Sequence, residues 1–199
     1  MSTTAEPGLR ERKKAATRQA LHESAVRLAI EHGLDRITVE AIADDAGVSR
    51  RTFSNYFGSK EEALMYGDFQ RVQRLLDAVR ARPAGEAPWA ALTAIAADFN
   101  RELGALDPER VAQGRLMRSH PSLLAAQNQT FAAGERELTA EIARRLAEPD
   151  PSGVRARMTA ATFLVAMRVS VNMWLDAPAG TTLWSIAEEA LATAGRGLA

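Results

Sequence analysis

The 199-residue chain contains no cysteine, which excludes disulfide bonds and metal sites built from thiolates. This absence fits the reducing environment of the cytoplasm. Residues 1–14 also lack the apolar run of a secretory signal peptide, so we expect a cytoplasmic protein.

The chain has no excess of charge of either sign, because 25 Lys and Arg residues balance 25 Asp and Glu residues. Any affinity for nucleic acid must therefore come from a local patch. One basic segment precedes the first apolar helical stripe and comprises Arg10, Arg12, Lys13, Lys14 and Arg18. It is either a solvated helix face or an arm that contacts phosphates, and the motif that follows it favours the arm.

Aromatic residues make up only 6% of the chain, and the alternation typical of β-strands is almost absent. We therefore predict an all-α fold of about nine helices. Glycine and proline positions predict a first helix over Leu9–His32, a long one over Pro121–Ala147, and a final pair over about Ser152–Asp176 and Thr181–Ala194.

No long uninterrupted hydrophobic run is present. The most apolar segment, Met158–Leu175, approaches the ~17 to 25 residues that cross a bilayer, but it contains Arg168 and Asn172. We interpret it as a buried helix with one polar face, and we expect no membrane partner.

Groups that could support catalysis are also missing. The three histidines, His22, His32 and His120, are isolated in sequence, and no HExxH, GxSxG or P-loop pattern occurs. We therefore expect no enzyme activity, no cofactor and no metal site.

What the sequence does contain is the stretch 38–57, TVEAIADDAGVSRRTFSNYF. Thr38 can cap a helix whose apolar stripe includes Val39, Ile42, Ala43 and Ala46. Gly47 can end that helix in a tight turn, and Ser49 can cap a second helix. Phe53 and Phe57, four residues apart, can anchor the second helix to the first. The spacing predicts a helix-turn-helix.

The outward face of the second helix is small, polar and cationic. Arginine can pair with guanine, asparagine can pair with adenine, and hydroxyls can bind phosphate. Ser59 and Glu62 have the spacing of a capping box, which would leave Lys60 at a helix N-terminus able to receive an anion. The candidate DNA-binding residues are Arg10, Arg12, Lys13, Thr38, Ser49, Arg50, Arg51, Thr52, Ser54, Asn55, Tyr56 and Lys60.

The motif resembles that of TetR-family transcriptional regulators. The matching positions are Thr38, Ile42, Ala46, Gly47, Val48, Ser49, Thr52, Phe53, Tyr56, Phe57, Ser59, Lys60 and Leu64. Two positions depart from the family pattern: Arg51 replaces a small residue or proline, and Ser54 replaces an aromatic residue. The resemblance therefore implies DNA binding without implying which sequence is read.

We predict two domains, an N-terminal arm with a three-helix helix-turn-helix domain over residues 1–60 and a helical bundle for ligand binding and dimerisation over residues 61–199. The helix from Ser152 has apolar residues on more than one side, and together with the apolar face of the following helix this predicts a homodimer through the last two helices. We expect the long helix that begins near Ser59 to transmit movement between the two domains.

Helical bundles place ligand sites between their helices, and apolar and polar candidates occur together in residues 99–174. Polar members could hold an anionic head, or they could be exposed charges with snorkelling stems. The candidates are Phe99, Arg115, Met117, Arg118, Asn128, Phe131, Phe163, Met167 and Trp174. GRLMRSHPSLLAAQ and ERELTAEIARRL resemble the ligand domain of mycofactocin-type TetR regulators, which implies an acyl-CoA-like effector.

These observations predict a homodimeric repressor that a small apolar or amphipathic ligand releases from palindromic double-stranded DNA. The alternative is a helical carrier of small molecules without sequence-specific DNA binding.

Overall fold

A computed structural model describes residues 8–103, 108–178 and 180–197. Residues 1–7 of the predicted arm lie outside the described residues. Within the described ranges the chain forms nine α-helices, one short 3₁₀ helix and no strand, which confirms the all-α prediction. The helices are α1 (Leu9–His32), a 3₁₀ helix (Leu34–Arg36), α2 (Val39–Asp45), α3 (Arg50–Ser54), α4 (Lys60–Ala81), α5 (Pro88–Leu103), α6 (Pro108–Ser119), α7 (Pro121–Ala143), α8 (Val154–Leu175) and α9 (Leu183–Gly195).

Short polar side chains and glycines set the ends of the first helices, largely as predicted. The N–H of Gly33 closes α1 on the Ala29 carbonyl at 3.0 Å, and Gly33 continues at a φ of 84°. Thr38 Oγ1 accepts the N–H of Ala41 at 3.1 Å and so caps α2. α4 departs from the predicted capping box: Ser59 caps it, but the Glu62 carboxylate accepts the N–H of Gly58 at 2.6 Å, one residue earlier than the predicted partner.

The chain divides into two compact units. The N-terminal unit comprises the described residues up to Gly67 together with Leu116–Ala126, and its core includes Leu21, Ile42 and Phe53. The remaining described residues, from Asp68 to Arg115 and from Gln127 onward, form the C-terminal unit. α4 thus contributes its first two turns to one unit and the rest of its length to the other.

In the C-terminal unit, α9 packs along α8 and against α5. The α9 residues Leu183, Ala187 and Leu191 are buried there, within their own chain. These three residues therefore pack against α5 and α8 of their own chain, and the predicted homodimer through the last two helices stays a prediction. α8, which we predicted to be a buried helix with one polar face, is also less buried than expected. It is long and apolar enough to cross a membrane by composition alone, yet only 33% of its most apolar window is buried.

A guanidinium just beyond the end of α7 fixes the end of α4. Arg145 donates to the carbonyls of Arg80, Arg82 and Pro83 at 3.1 to 3.3 Å, and so pairs with backbone acceptors at and just beyond the last turn. Its Nε donates at 3.1 Å to Glu141, a buried carboxylate. α7 ends at Ala143, four residues before the predicted end, where the Arg145 N–H turns back to the Ile142 carbonyl.

The contribution of Glu141, which holds Arg145 at the end of α4, can be tested by changing the pH. Hydrogen bonds from Arg144 and then Arg145 lower its pKa, against the effect of burial. Because the folded pKa is lowered, the stabilisation is present above the unfolded pKa and is lost as pH falls through the folded pKa. We expect Glu141→Gln to lower the free energy of unfolding by about 3 kcal/mol at pH 7, since it removes the carboxylate charge beside the buried Arg145 guanidinium.

Urea unfolding at pH 7 and pH 3 measures this effect, and the deficit should shrink at the lower pH. Glu137→Gln is the matched control, because that half-exposed α7 carboxylate lies 3.9 Å from Arg80 and should contribute little. Equal losses in the two variants would contradict the assignment.

Candidate nucleic-acid interface

α2, a tight turn and α3 form the predicted helix-turn-helix. Gly47 sits in the turn at a φ of 68°, and the next N–H, that of Val48, returns to the Ala43 carbonyl at 2.9 Å. Phe53 is 1% exposed and Phe57 is 3% exposed. Their ring centroids lie 5.9 Å apart, so the pair fixes α3 and the residues after it to the core. Phe57 lies beyond the end of α3 at Ser54, so the helix is shorter than we predicted.

The remaining side chains of α3 and of the two residues after it form a polar outward surface. Arg50, Arg51, Ser54 and Asn55 are exposed. Thr52 and Tyr56 are half-buried. This arrangement places a guanine-pairing type, an adenine-pairing type and a hydroxyl on one short segment.

The hydroxyls of the motif are also used for capping. Ser49 Oγ accepts the Thr52 N–H at 3.1 Å and lies 2.9 Å from Thr52 Oγ1. Thr38 caps α2 in the same way. Each hydroxyl has a further hydrogen-bonding position, so capping does not prevent a phosphate contact.

The two arginines of α3 differ in their partners. Arg50 Nε lies 3.0 Å from Glu40 Oε1 on α2, which forms an ion pair across the turn. Arg51 has no ion pair with any residue that the structure describes, and its charge faces solvent.

The basic segment is the beginning of α1 rather than a separate arm. Arg10, Arg12, Lys13 and Lys14 are all exposed on its first turns. A groove of about 380 Å³ lies beside them, and its lining comprises Arg10, Glu11, Lys13, Lys14, Thr17 and Tyr56. Tyr56, which follows α3 closely in the chain, therefore lies next to the basic residues at the start of α1.

Arg18 was grouped with this basic segment, but it points inward. Its guanidinium carbon lies 5.3 Å from the Phe57 ring centroid and 5.2 Å from that of Tyr66. Its Nη2 donates to the Tyr56 carbonyl at 3.1 Å. Arg18 therefore stabilises the segment after α3 and is not a surface cation.

Lys60 is also engaged within the protein. Its Nζ donates to the Leu34 carbonyl at 2.8 Å and to the Ile37 carbonyl at 3.1 Å. Two of the three ammonium donors thus hold the segment that leads into α2. The predicted phosphate contact would have only the third donor, because the flexible stem carries the charge back to these carbonyls.

The sequence did not predict several contacts that α1 makes with other helices, because nothing in the local sequence pairs these residues. Asp45 at the end of α2 binds Arg27 of α1, and hydrogen bonds from Ser24 and Arg27 lower the Asp45 pKa. His22 Nδ1 lies 2.8 Å from the Ala63 carbonyl on α4. Helical spacing placed Arg27 and His22 on α1 but could not identify partners from another helix.

The predicted ligand residues do not form one group. Phe99, Phe131 and Met167 are half-buried around the C-terminal core that contains Phe163. Trp174 lies in a separate cluster with Leu175 and Leu183, and its indole N–H donates to Thr181. Arg115 and Asn128 are exposed.

Met117 packs in a different core from Phe99, Phe131, Phe163 and Met167. It is buried in the core of the N-terminal unit, where it fills space beside Leu123. Arg118, the next residue, belongs to the same unit.

The fold and the exposed α3 surface define a two-unit helix-turn-helix protein whose DNA-binding elements lie in its N-terminal unit. The model for bacterial regulatory proteins of the tetR family matches residues 21–64, and the MftR C-terminal domain matches residues 86–199. The chain belongs to the TetR family of transcriptional regulators. It is a DNA-binding regulator and not an enzyme, and the carrier alternative is set aside.

Known proteins resemble the chain over most of its length. The HTH-type transcriptional regulator TcmR of Streptomyces glaucescens is 34% identical over 182 residues, which cover 87% of this chain and 79% of TcmR. Native NalD of Pseudomonas aeruginosa superposes with a TM-score of 0.60 at 20% identity, covering 92% of this chain and 97% of NalD. FadR of Bacillus subtilis, in complex with stearoyl-CoA, gives 0.57 at 18% identity, covering 91% and 99%. These two structures share the fold.

The Arg18 contacts give a stability test. We expect Arg18→Met to lower the free energy of unfolding by about 1 kcal/mol, because it removes the bond to Tyr56 and two cation–π contacts while keeping an apolar stem. Loss of the buried Nε, which has no hydrogen-bond partner among the described residues, offsets part of the cost. Arg12→Met, on the exposed side of α1, should leave the urea midpoint unchanged. Equal midpoints for the two variants would refute the inward role.

Proposed function

We propose that the protein is a homodimeric repressor that binds a palindromic operator through α3 and the start of α1, and that a small apolar or amphipathic ligand releases it. The observation that carries the proposal is the single exposed surface formed by Arg50, Arg51 and Asn55 on an anchored helix. Its cytoplasmic location follows from the same role.

We expect two kinds of DNA contact, one to base edges and one to phosphates, from different residues of this surface. α3 is short enough to enter the major groove with Arg50, Arg51, Ser54 and Asn55 toward base edges. The exposed cations at the start of α1 are placed to contact phosphates, and Tyr56 lies between the two groups. Because the net charge of the whole chain is zero, these few cations carry the salt-dependent part of the affinity.

An exposed apolar stripe on α8 supports the dimer. Val154, Met158, Val165 and Val169 are each more than 40% exposed. At 100° per residue they fall within about 60° of the helix circumference, a width that one facing helix can cover. A two-fold contact there would present two α3 helices to a palindromic site, with half-sites about 34 to 36 Å apart.

The effector proposal depends on the C-terminal core. Phe99, Phe131 and Met167 are half-buried apolar residues around that core, the kind of lining that accepts an acyl chain. The MftR-type match and the stearoyl-CoA held by FadR support an acyl-CoA-like class. Such a ligand acts by binding better to a dimer conformation that does not fit DNA, by about 1 to 3 kcal/mol for a typical coupling.

DNA recognition is tested by anisotropy titration of duplexes from the region beside the protein's own gene at several salt concentrations. We expect Arg51→Ala and Asn55→Ala to reduce the preference for the bound duplex over a scrambled one, at a cost of about 1 to 3 kcal/mol for each base contact. Arg12→Ala should weaken both duplexes alike and flatten the salt slope by about one unit.

Arg136→Ala, which removes an exposed arginine from α7, is the control and should bind like the wild type. Wild-type binding that is independent of sequence would exclude the proposed function. Equal effects of Arg12→Ala and Arg51→Ala on selectivity would show that the two groups of contacts are wrongly separated.

The dimer is tested by sedimentation velocity of Val165→Glu. A carboxylate in the middle of the exposed α8 stripe should convert a dimer to a monomer, because it would be buried without a partner. Leu124→Glu replaces another exposed apolar residue, on α7, and should remain dimeric. A wild-type monomer, or a dimeric Val165→Glu variant, would be incompatible with the proposed interface.

A further inference from the structure

Glu40 stands opposite Arg50 across the helix-turn-helix. It lies in the first turn of α2, and its Oε1 is 3.0 Å from Arg50 Nε. The Arg50 and Glu40 side chains are 72% and 53% exposed. An ion pair this open to solvent contributes little to folding stability. What the ion pair affects instead is the direction in which the Arg50 side chain points.

The atom that Glu40 approaches decides which edge of the guanidinium remains available. Guanine presents O6 and N7 to the major groove, and arginine pairs with both through two N–H groups. With the carboxylate beside Nε, the edge formed by the two terminal nitrogens is left for the base. A long side chain that already has a preferred direction loses less conformational freedom when it binds.

Glu40 also adds a negative charge to a surface that approaches phosphates. That charge disfavours all DNA sequences by a similar amount, since every sequence presents the same backbone. A carboxylate here therefore lowers general affinity, and orienting Arg50 is the compensating gain. Neighbouring Arg51 has no ion pair with a described residue, so it can be compared directly with Arg50.

We propose that Glu40 is a specificity-determining residue that positions Arg50 to read a guanine in each half-site. The inference rests on the proposed reading of DNA by α3. Glu40 acts through Arg50 and does not itself contact the base.

The test begins with selection of duplexes from a random pool by the intact wild-type protein. In the best duplex, each guanine–cytosine pair is replaced in turn by adenine–thymine, and discrimination is the ratio of the two dissociation constants. We expect one symmetric guanine at which the wild type discriminates about tenfold or more. Glu40→Gln and Arg50→Ala should each reduce that ratio several-fold, and the double variant should lose no more than Arg50→Ala alone.

Asp44→Asn is the matched control, because it removes an exposed carboxylate of the same helix that has no ion pair with a described residue. Both Glu40→Gln and Asp44→Asn should bind random duplex as tightly as the wild type or more tightly, but only Glu40→Gln should lose discrimination. A purely structural role would weaken all duplexes equally and leave the ratio unchanged.

Full discrimination by Glu40→Gln would overturn the positioning role while leaving DNA reading intact. Additive losses in the double variant would overturn it too, because Glu40 would then act independently of Arg50. A wild-type protein that enriches no sequence would instead overturn the proposed function.

Discussion

The exposed surface of Arg50, Arg51 and Asn55 depends on the burial of two phenylalanines. α3 contains only five residues, and a helix of that length does not persist in water by itself. Phe53 and Phe57 supply the missing free energy by filling the N-terminal core, and the Arg18 guanidinium lies over the second ring. Because the anchor uses these two side chains, the intervening positions are free to be polar.

The cations of the N-terminal unit have two separate uses. Arg18 and Lys60 donate to backbone carbonyls and hold the segments on either side of the helix-turn-helix. The cations at the start of α1 and Arg51 remain in solvent. A chain of zero net charge thus presents a small basic surface without attracting polyanions generally. Such a protein must obtain much of its selectivity from base contacts, which makes the direction of each arginine important.

The sequence predicted the nine helices and the helix-turn-helix because apolar periodicity, caps and glycines are local signals. It did not show that Arg18 and Lys60 donate to inward carbonyls, since a long flexible side chain can reach solvent or an inward carbonyl from the same backbone position. It did not show that α5 and α8 cover part of α9, because periodicity identifies an apolar stripe without identifying what covers it. The nine predicted ligand residues were chosen by type, and cores need those same types, so Met117 and Trp174 proved to pack in different clusters.

Hydroxyl-radical footprinting of the intact protein on a tightly bound duplex tests the central claim most directly, because it maps each backbone contact without altering the protein. A dimer that reads a palindrome should give two equal protected patches related by two-fold symmetry, on one face of the DNA and about one helical turn apart. A single patch, or uniform protection that shifts with the ends of the duplex, would contradict a dimer that reads a palindrome through α3.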